Sequence, residues 1–245
     1  MPPLREAVGI GERLIRERLG PPGAEDLRGL DELQAEFCAD PAVIRLFREA
    51  LEHVGVDPRR TYWDSLFLRF VAPVQDGTGA QRQIGRIGVH RDTWSSNVLQ
   101  QTNWWMTIRP LTRDRTIAFF PDYWERPLEN TSADWDLNAI RERRRTGDAE
   151  VLPIVPEPVE QVDMSSEIRV VIEPGDLLCF SGAHVHATVP NVSASARCSV
   201  EVRTVGLDDL ELGRGAPDVD GEAPVVPLEW FHSMVDGEPL TREDA

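Results

Sequence analysis

The sequence predicts a mainly β domain, a sandwich or barrel, carrying α-helices on its N-terminal flank. Three observations point there. Amphipathic helical patterning dominates the first 58 residues, and the one later helix-like stretch is a basic run, Arg141 to Arg145, read as a solvated face with no role. From Tyr62 onward, short segments rich in Val, Ile, Phe and Trp follow one another, with turn residues between several of them. At 245 residues the chain has room for one sizeable core, so 1–245 is read as a single domain.

The elements follow in order. Leu4, Val8, Ile15 and Leu19 fall near one helical face, although Gly9 and Gly11 weaken the pattern. Pro21-Pro-Gly-Ala24 is a loop. A stronger helix spans Asp40 to His53. Asp40 supplies an N-cap, Pro41 suits the first turn, and Val43, Phe47, Ala50 and Val54 share a face before Gly55 ends it. Strands are expected over 62–72, 84–89, 98–109, 115–120, 167–173, 176–181, 184–189 and 197–205. A helical flank (1–58), a β core (60–210) and a C-terminal tail (211–245) result. Residues 121–166 interrupt the core. An interruption this long inside a compact β domain reads as a lid, and it holds Tyr123, Trp124, Trp135 and, over 121–138, five acidic residues.

Composition removes several function classes. The net charge is −16, from 42 acidic and 26 basic residues, and a surface of that sign repels nucleic acid and anionic membranes. Every basic residue is arginine, which excludes a lysine Schiff base and a phosphate-loop lysine. Cys38, Cys179 and Cys198 are too scattered for a disulfide framework or a zinc pattern. No apolar run approaches the roughly 20 residues of a membrane span, and Met1 to Gly20 lacks the apolar stretch of a signal peptide, so a cytoplasmic location is expected.

The chemistry-bearing residues sit in two stretches. In Gly88-Val-His90-Arg-Asp92-Thr-Trp94, positions 90 and 92 share a face of an extended chain and converge on one ion if the strand bends or ends there. The second stretch runs from Pro174-Gly-Asp176 to Pro190-Asn191 and contains His184 and His186. Two imidazoles and one carboxylate form the facial ligand set that holds Fe(II) and leaves positions open. Arg197 and Ser199 share a strand face, where a guanidinium and a hydroxyl together suit a carboxylate. Trp105 is in phase with Gln101 and Asn103, an arrangement that turns it towards the barrel mouth. No Gly-x-Ser-x-Gly elbow is present.

Taken together, His-x-Asp, Pro-Gly-Asp, His, Pro-Asn and Arg-x-Ser resemble the phytanoyl-CoA dioxygenase-type Fe(II)/2-oxoglutarate oxygenases. His90-Arg-Asp-Thr-Trp94, Gln101-Thr-Asn-Trp-Trp105, Phe120-Pro-Asp-Tyr-Trp124 and Asn130-Thr-Ser132 resemble, within them, the streptomycin-biosynthesis oxygenase-like proteins of antibiotic gene clusters. The resemblance covers roughly residues 60–210. It implies a double-stranded β-helix (a jelly-roll, cupin-like barrel), with Fe(II) and 2-oxoglutarate as cofactors. It implies His90, Asp92 and His186 as metal ligands, with His184 the rival third ligand. It also implies Arg197, helped by Thr188 and Ser199, on the 2-oxoglutarate carboxylate. Trp94, Asn103, Trp105 and Tyr123 are the expected substrate contacts. Asp92 stands where halogenating relatives have Gly or Ala, so hydroxylation is the expected outcome. A small polar secondary metabolite (aminocyclitol, sugar or amino-acid-like) and O2 are the expected partners. A cupin-like metal-dependent isomerase or epimerase and a non-catalytic binding barrel are the alternatives.

Overall fold

A computed structural model describes residues 1–74, 86–136, 139 and 155–241. The helical flank consists of α1 (Pro2–Arg18), α2 (Leu30–Ala39) and α3 (Pro41–His53). α3 starts as its sequence dictates: the Asp40 carboxylate accepts the Ala42 N–H at 2.7 Å, and Pro41 occupies the first turn. Val54 falls beyond the last turn and is exposed. Gly11, which weakened the α1 pattern, has a packing role. A Cβ there would lie 2.7 Å from Ile108 and 3.2 Å from Phe37, so its absence lets α1 sit directly on the sheet. The pattern in residues 30–39 gave no separate helix from sequence; α2 buries Leu33 and Phe37 against that same surface.

The strands are β1 (Thr61–Trp63), β2 (Phe67–Val71), β3 (Thr102–Thr107), β4 (Ile117–Phe119), β5 (Ile168–Val170), β6 (Leu178–Ser181), β7 (His186–Thr188), β8 (Arg197–Gly206) and β9 (His232–Ser233). A larger antiparallel sheet runs β6-β3-β8-β1-β9, with β2 also on β8; a smaller one runs β5-β4-β7. The expected closed barrel is therefore corrected to two separate antiparallel sheets among the described residues. Short strands explain this: four of the nine have only three residues, too few to carry pairing around the corners. The predicted strand 84–89 is described only from residue 86. It contributes ladder bonds to β7 through Thr188 N to Ile87 O (3.0 Å) and the His90–His186 pair.

β8 is central, and its alternation divides the molecule. Cys198, Val200 and Val202 face the helices and join Leu68, Phe70, Met106, Ile108, Leu4, Ile15, Phe37 and Phe47 in the main core. Arg197, Glu201 and Arg203 project from the other face into a cavity of about 210 Å³. On β4, Ile117 and Phe119 pack with Trp105 and Phe180, whereas Ala118 joins an outer cluster with Trp94, Phe120 and Tyr123. The segment after Glu211 is tied to this body rather than hanging as a tail. β9 pairs with β1, and Leu240 and Phe231 are buried. No described helix is long and apolar enough to cross a membrane.

Candidate metal and carboxylate site

His90 and His186 exchange both backbone hydrogen bonds (3.0 and 2.9 Å) and so stand directly opposite each other across two adjacent segments. Their rings lie 4.2 Å apart, centroid to centroid. Each ring is fixed through Nδ1, which donates to a backbone carbonyl: Gly88 for His90 (3.0 Å) and His184 for His186 (2.9 Å). Both Nε2 atoms are thereby left to a shared point, the arrangement that sets tautomer and orientation in metal-ligating histidines.

The extended chain stops at His90. Asp92 has helical dihedrals and stands at the N-terminal boundary of the short helix α4 (Thr93–Ser96) without capping it through its side chain, and its N–H donates to Gly182 O (2.8 Å). That bend brings one carboxylate oxygen to 3.4 Å from His90 Nε2. The other accepts Gln101 Nε2 (3.2 Å) and Asn103 Nδ2. One oxygen is held by amides and one is free to ligate. Gly182 permits this closeness, since a Cβ there would meet Gln101 at 2.8 Å and Asp92 at 3.3 Å. The ligand atoms of His90, Asp92 and His186 all lie within 4.8 Å of one another.

The electrostatics suit a cation. Burial opposes the Asp92 charge, but the His90 hydrogen bond and the nearby His186 and Arg203 win, holding the carboxyl well below the usual range. Burial, reinforced by His90, lowers His186 to about 4, so its imidazole is neutral and ready to donate a lone pair. His184 stands apart. Its Nδ1 meets Ser181 O (3.2 Å), its ring packs on Trp124 at 4.4 Å, and it is no member of the ligand cluster.

In the same cavity, Arg197 is buried and gives one bond to Thr116 O (2.9 Å), and its Nε has no partner. Burial pulls the guanidinium down to about 9, and Arg69 nearby adds to this. Ser199 Oγ is also buried without a partner, and Thr188 lines the cavity. A buried cation with an orphaned N–H is costly unless an anion completes it, so the arrangement is complementary to a carboxylate.

The expected substrate contacts divide. Trp105 lines the cavity. Asn103 is fully buried and spends its amide on Asp92 and Gln101, which makes it a positioning group for the ligand. Trp94 and Tyr123 do not reach the cavity. They belong to the outer cluster, with Trp94 Nε1 donating to Asp220 (2.7 Å) and Tyr123 Oη accepting Asp163 N–H (2.8 Å). The apolar faces of both rings are consumed by packing. Trp135 is buried as well, and the basic run Arg141 to Arg145 lies outside the described residues.

Several contributors escaped the sequence reading. Arg203 projects beside Asp92 and pairs with Asp64 (2.5 Å), and Arg69, Glu201 and Trp230 line the cavity. The strict alternation Arg197-x-Ser-x-Glu-x-Arg203 was the available signal for the β8 groups. Asp220 had none. It accepts Arg91 Nε (3.1 Å), Trp94 Nε1 (2.7 Å) and Leu128 N–H (2.9 Å). Arg91 itself, buried between the two ligand positions, also donates to Ala183 O (2.5 Å) and to the carbonyls of Tyr123 (2.5 Å) and Arg126 (3.0 Å).

No protein-family model matches the chain, and no curated protein matches it by sequence. Solved structures do match. EvdO2 from Micromonospora carbonacea var. aurantiaca, complexed with 2-oxoglutarate, is 14% identical with a TM-score of 0.50, covering 82% of each chain. The epimerase SnoN, in complex with Fe3+, alpha-ketoglutarate and nogalamycin RO, is 12% identical with a TM-score of 0.47, covering 84% of this chain and 75% of its own. The non-heme monooxygenase ThoJ is 12% identical with a TM-score of 0.46, covering 84% and 70%. At 14% identity, what EvdO2 shares with this chain is the fold.

Proposed function

We propose that the chain is an Fe(II)/2-oxoglutarate-dependent oxygenase that hydroxylates an unactivated C–H bond of a small polar molecule, releasing succinate and CO2. The observation that carries this reading is that the His90–Asp92–His186 cluster and the orphaned Arg197 guanidinium face one cavity. Three ligands on one side leave room for a chelating co-substrate, and a buried cation beside them fits that co-substrate's distal carboxylate.

In this reading His90 Nε2, His186 Nε2 and the free oxygen of Asp92 hold the iron. Gln101 and Asn103 orient Asp92, while Arg197, with Thr188 and Ser199, anchors 2-oxoglutarate. Bound iron and 2-oxoglutarate together supply the activation of O2. The side chains fix the geometry, and Trp105, Ile117 and Ile87 supply the apolar part of a cavity wall that is otherwise charged. The two sheets are then the opposed faces of a double-stranded β-helix, as in the antibiotic-cluster oxygenases that the motifs resemble. Asp92 at the third ligand position favours hydroxylation over halogenation.

The test is anaerobic titration of the protein with Fe(II) and 2-oxoglutarate, monitoring the weak visible charge-transfer band of the chelate. The band is expected in the wild type and in His184→Ala, and is expected to vanish in His186→Ala. Metal binding without the band removes 2-oxoglutarate and brings a redox-neutral isomerase forward. Absence of metal binding leaves only a binding protein. Oxygen uptake and succinate release then separate oxygenation from isomerisation.

A further inference from the structure

The cavity contains more charge than the proposed cofactors use. Arg203 is already met by Asp64, through Nε at 2.5 Å and its backbone N–H at 2.8 Å. Asp92 belongs to the imidazoles and the metal, and Arg197 to the co-substrate. Two ionic side chains remain on the cavity wall, Arg69 from β2 and Glu201 from β8. Neither side chain makes a hydrogen bond or ion pair with any described residue, although both are half-buried and Glu201 is within electrostatic reach of Arg197 and Arg203.

They also do not pair with each other. In the β2–β8 register Arg69 lies opposite Ser199, while Glu201 lies opposite Phe67. The two are thus diagonal neighbours on one face, about 7–8 Å apart by ordinary sheet geometry. Phe67 and Trp105 flank Glu201 on its two sides, the former from β2 and the latter from β3. Trp230 completes this part of the wall. Two opposite charges that are this close, yet unpaired, present a dipole to whatever enters.

We infer that Arg69 and Glu201 are the substrate-recognition pair and that the substrate is a small zwitterion, with its carboxylate on Arg69 and its ammonium on Glu201. The inference rests on the oxygenase reading and names its substrate class. An uncharged polyol leaves both without a directly bonded counter-charge, and a simple amine or acid leaves one so. A zwitterion neutralises both, and each charge-assisted bond replaces water that the aromatic walls exclude. Phe67, with 39% of its surface exposed, is placed to cover the carbon chain between the two charged ends.

The experiment is calorimetric titration of the Fe(II)- and 2-oxoglutarate-loaded protein, under anaerobic conditions, with four zwitterions of increasing length: glycine, β-alanine, 4-aminobutanoate and 5-aminopentanoate. Butylamine, butanoate and myo-inositol are the comparators. At least one zwitterion is expected to bind about tenfold or more tightly than either singly charged comparator, as a steered, partly desolvated charge pair allows. Glu201→Gln is expected to cancel the advantage over butanoate, and Arg69→Gln the advantage over butylamine. The proposal is overturned if none of the four binds, if myo-inositol binds as tightly, or if both substitutions leave zwitterion affinity intact. The visible spectrum of the same protein samples, treated with Fe(II) and 2-oxoglutarate, separates the two readings. Zwitterion binding without any chelate band removes the oxygenase but supports the recognition pair. A normal band with no zwitterion binding removes the recognition pair alone.

Discussion

Replacing Asp220 by alanine tests the idea that the C-terminal segment locks the metal site. The carboxylate is 6% exposed and accepts from three donors: Arg91 Nε, Trp94 Nε1 and Leu128 N–H. Alanine leaves the Arg91 guanidinium, itself 2% exposed, without a counter-ion. Breaking a buried pair in this way costs about 3–5 kcal/mol. The indole and amide donors add about 1–3 kcal/mol each if left dry. Because all three share one acceptor the losses overlap, so a net loss of about 4 kcal/mol is expected. Asp220→Asn keeps an acceptor but not the charge and falls between the two. Urea denaturation monitored by tryptophan fluorescence reads the stability. Fe(II) titration of the protein that remains folded reads the second effect. Arg91 lies between His90 and Asp92 and holds the turn before His186, so disturbing it lowers metal affinity about 10–100-fold. A stability loss below about 1 kcal/mol together with unchanged metal affinity refutes the argument, because surface carboxylates behave that way. The Asp209–Arg214 pair, both members of which are about half exposed, is the internal control.

Arg197→Leu is expected to weaken 2-oxoglutarate binding by about 2–5 kcal/mol while leaving Fe(II) affinity nearly unchanged, and co-substrate titration of the chelate band measures both. The same substitution is expected to raise the midpoint of urea unfolding when 2-oxoglutarate is omitted, since it removes a buried cation with an orphaned N–H. Gly11→Ala gains about 1 kcal/mol of helix propensity. It also forces a methyl to 2.7 Å from Ile108, with an overpacking cost of about 1–3 kcal/mol, so thermal denaturation should show a net loss. Among the thiols, exposed Cys179 reacts first with a chromogenic disulfide reagent. Cys198, pushed up to about 12 by burial, reacts only on unfolding; early labelling of Cys198 contradicts the packing of β8 on the helices.

What the sequence determined alone was everything carried by short-range periodicity and side-chain chemistry. The Asp40 cap, the α3 face and the alternation along β8 were legible because a helix or strand repeats every few residues. His90 and Asp92 were legible as a pair because two residues of spacing on a chain that ends its strand there brings both to one point. The tertiary structure decided the rest, and in each case the reason is a contact between distant segments. His186 rather than His184 joins the cluster because the backbone pairing across β7 places residue 186, not 184, opposite His90. Asn103 serves Asp92, and Trp94 and Tyr123 are withdrawn from the cavity, because β3 and the outer cluster meet α4 only in the folded state. Gly11 is a contact point and not a flaw in α1, because Ile108 fills the space its side chain leaves. Asp220, 129 residues after Arg91, holds that region because the C-terminal segment folds back against Arg91, α4 and Leu128. No local pattern encodes such a return. It follows from which apolar faces need covering, and that is settled only when all the elements pack together.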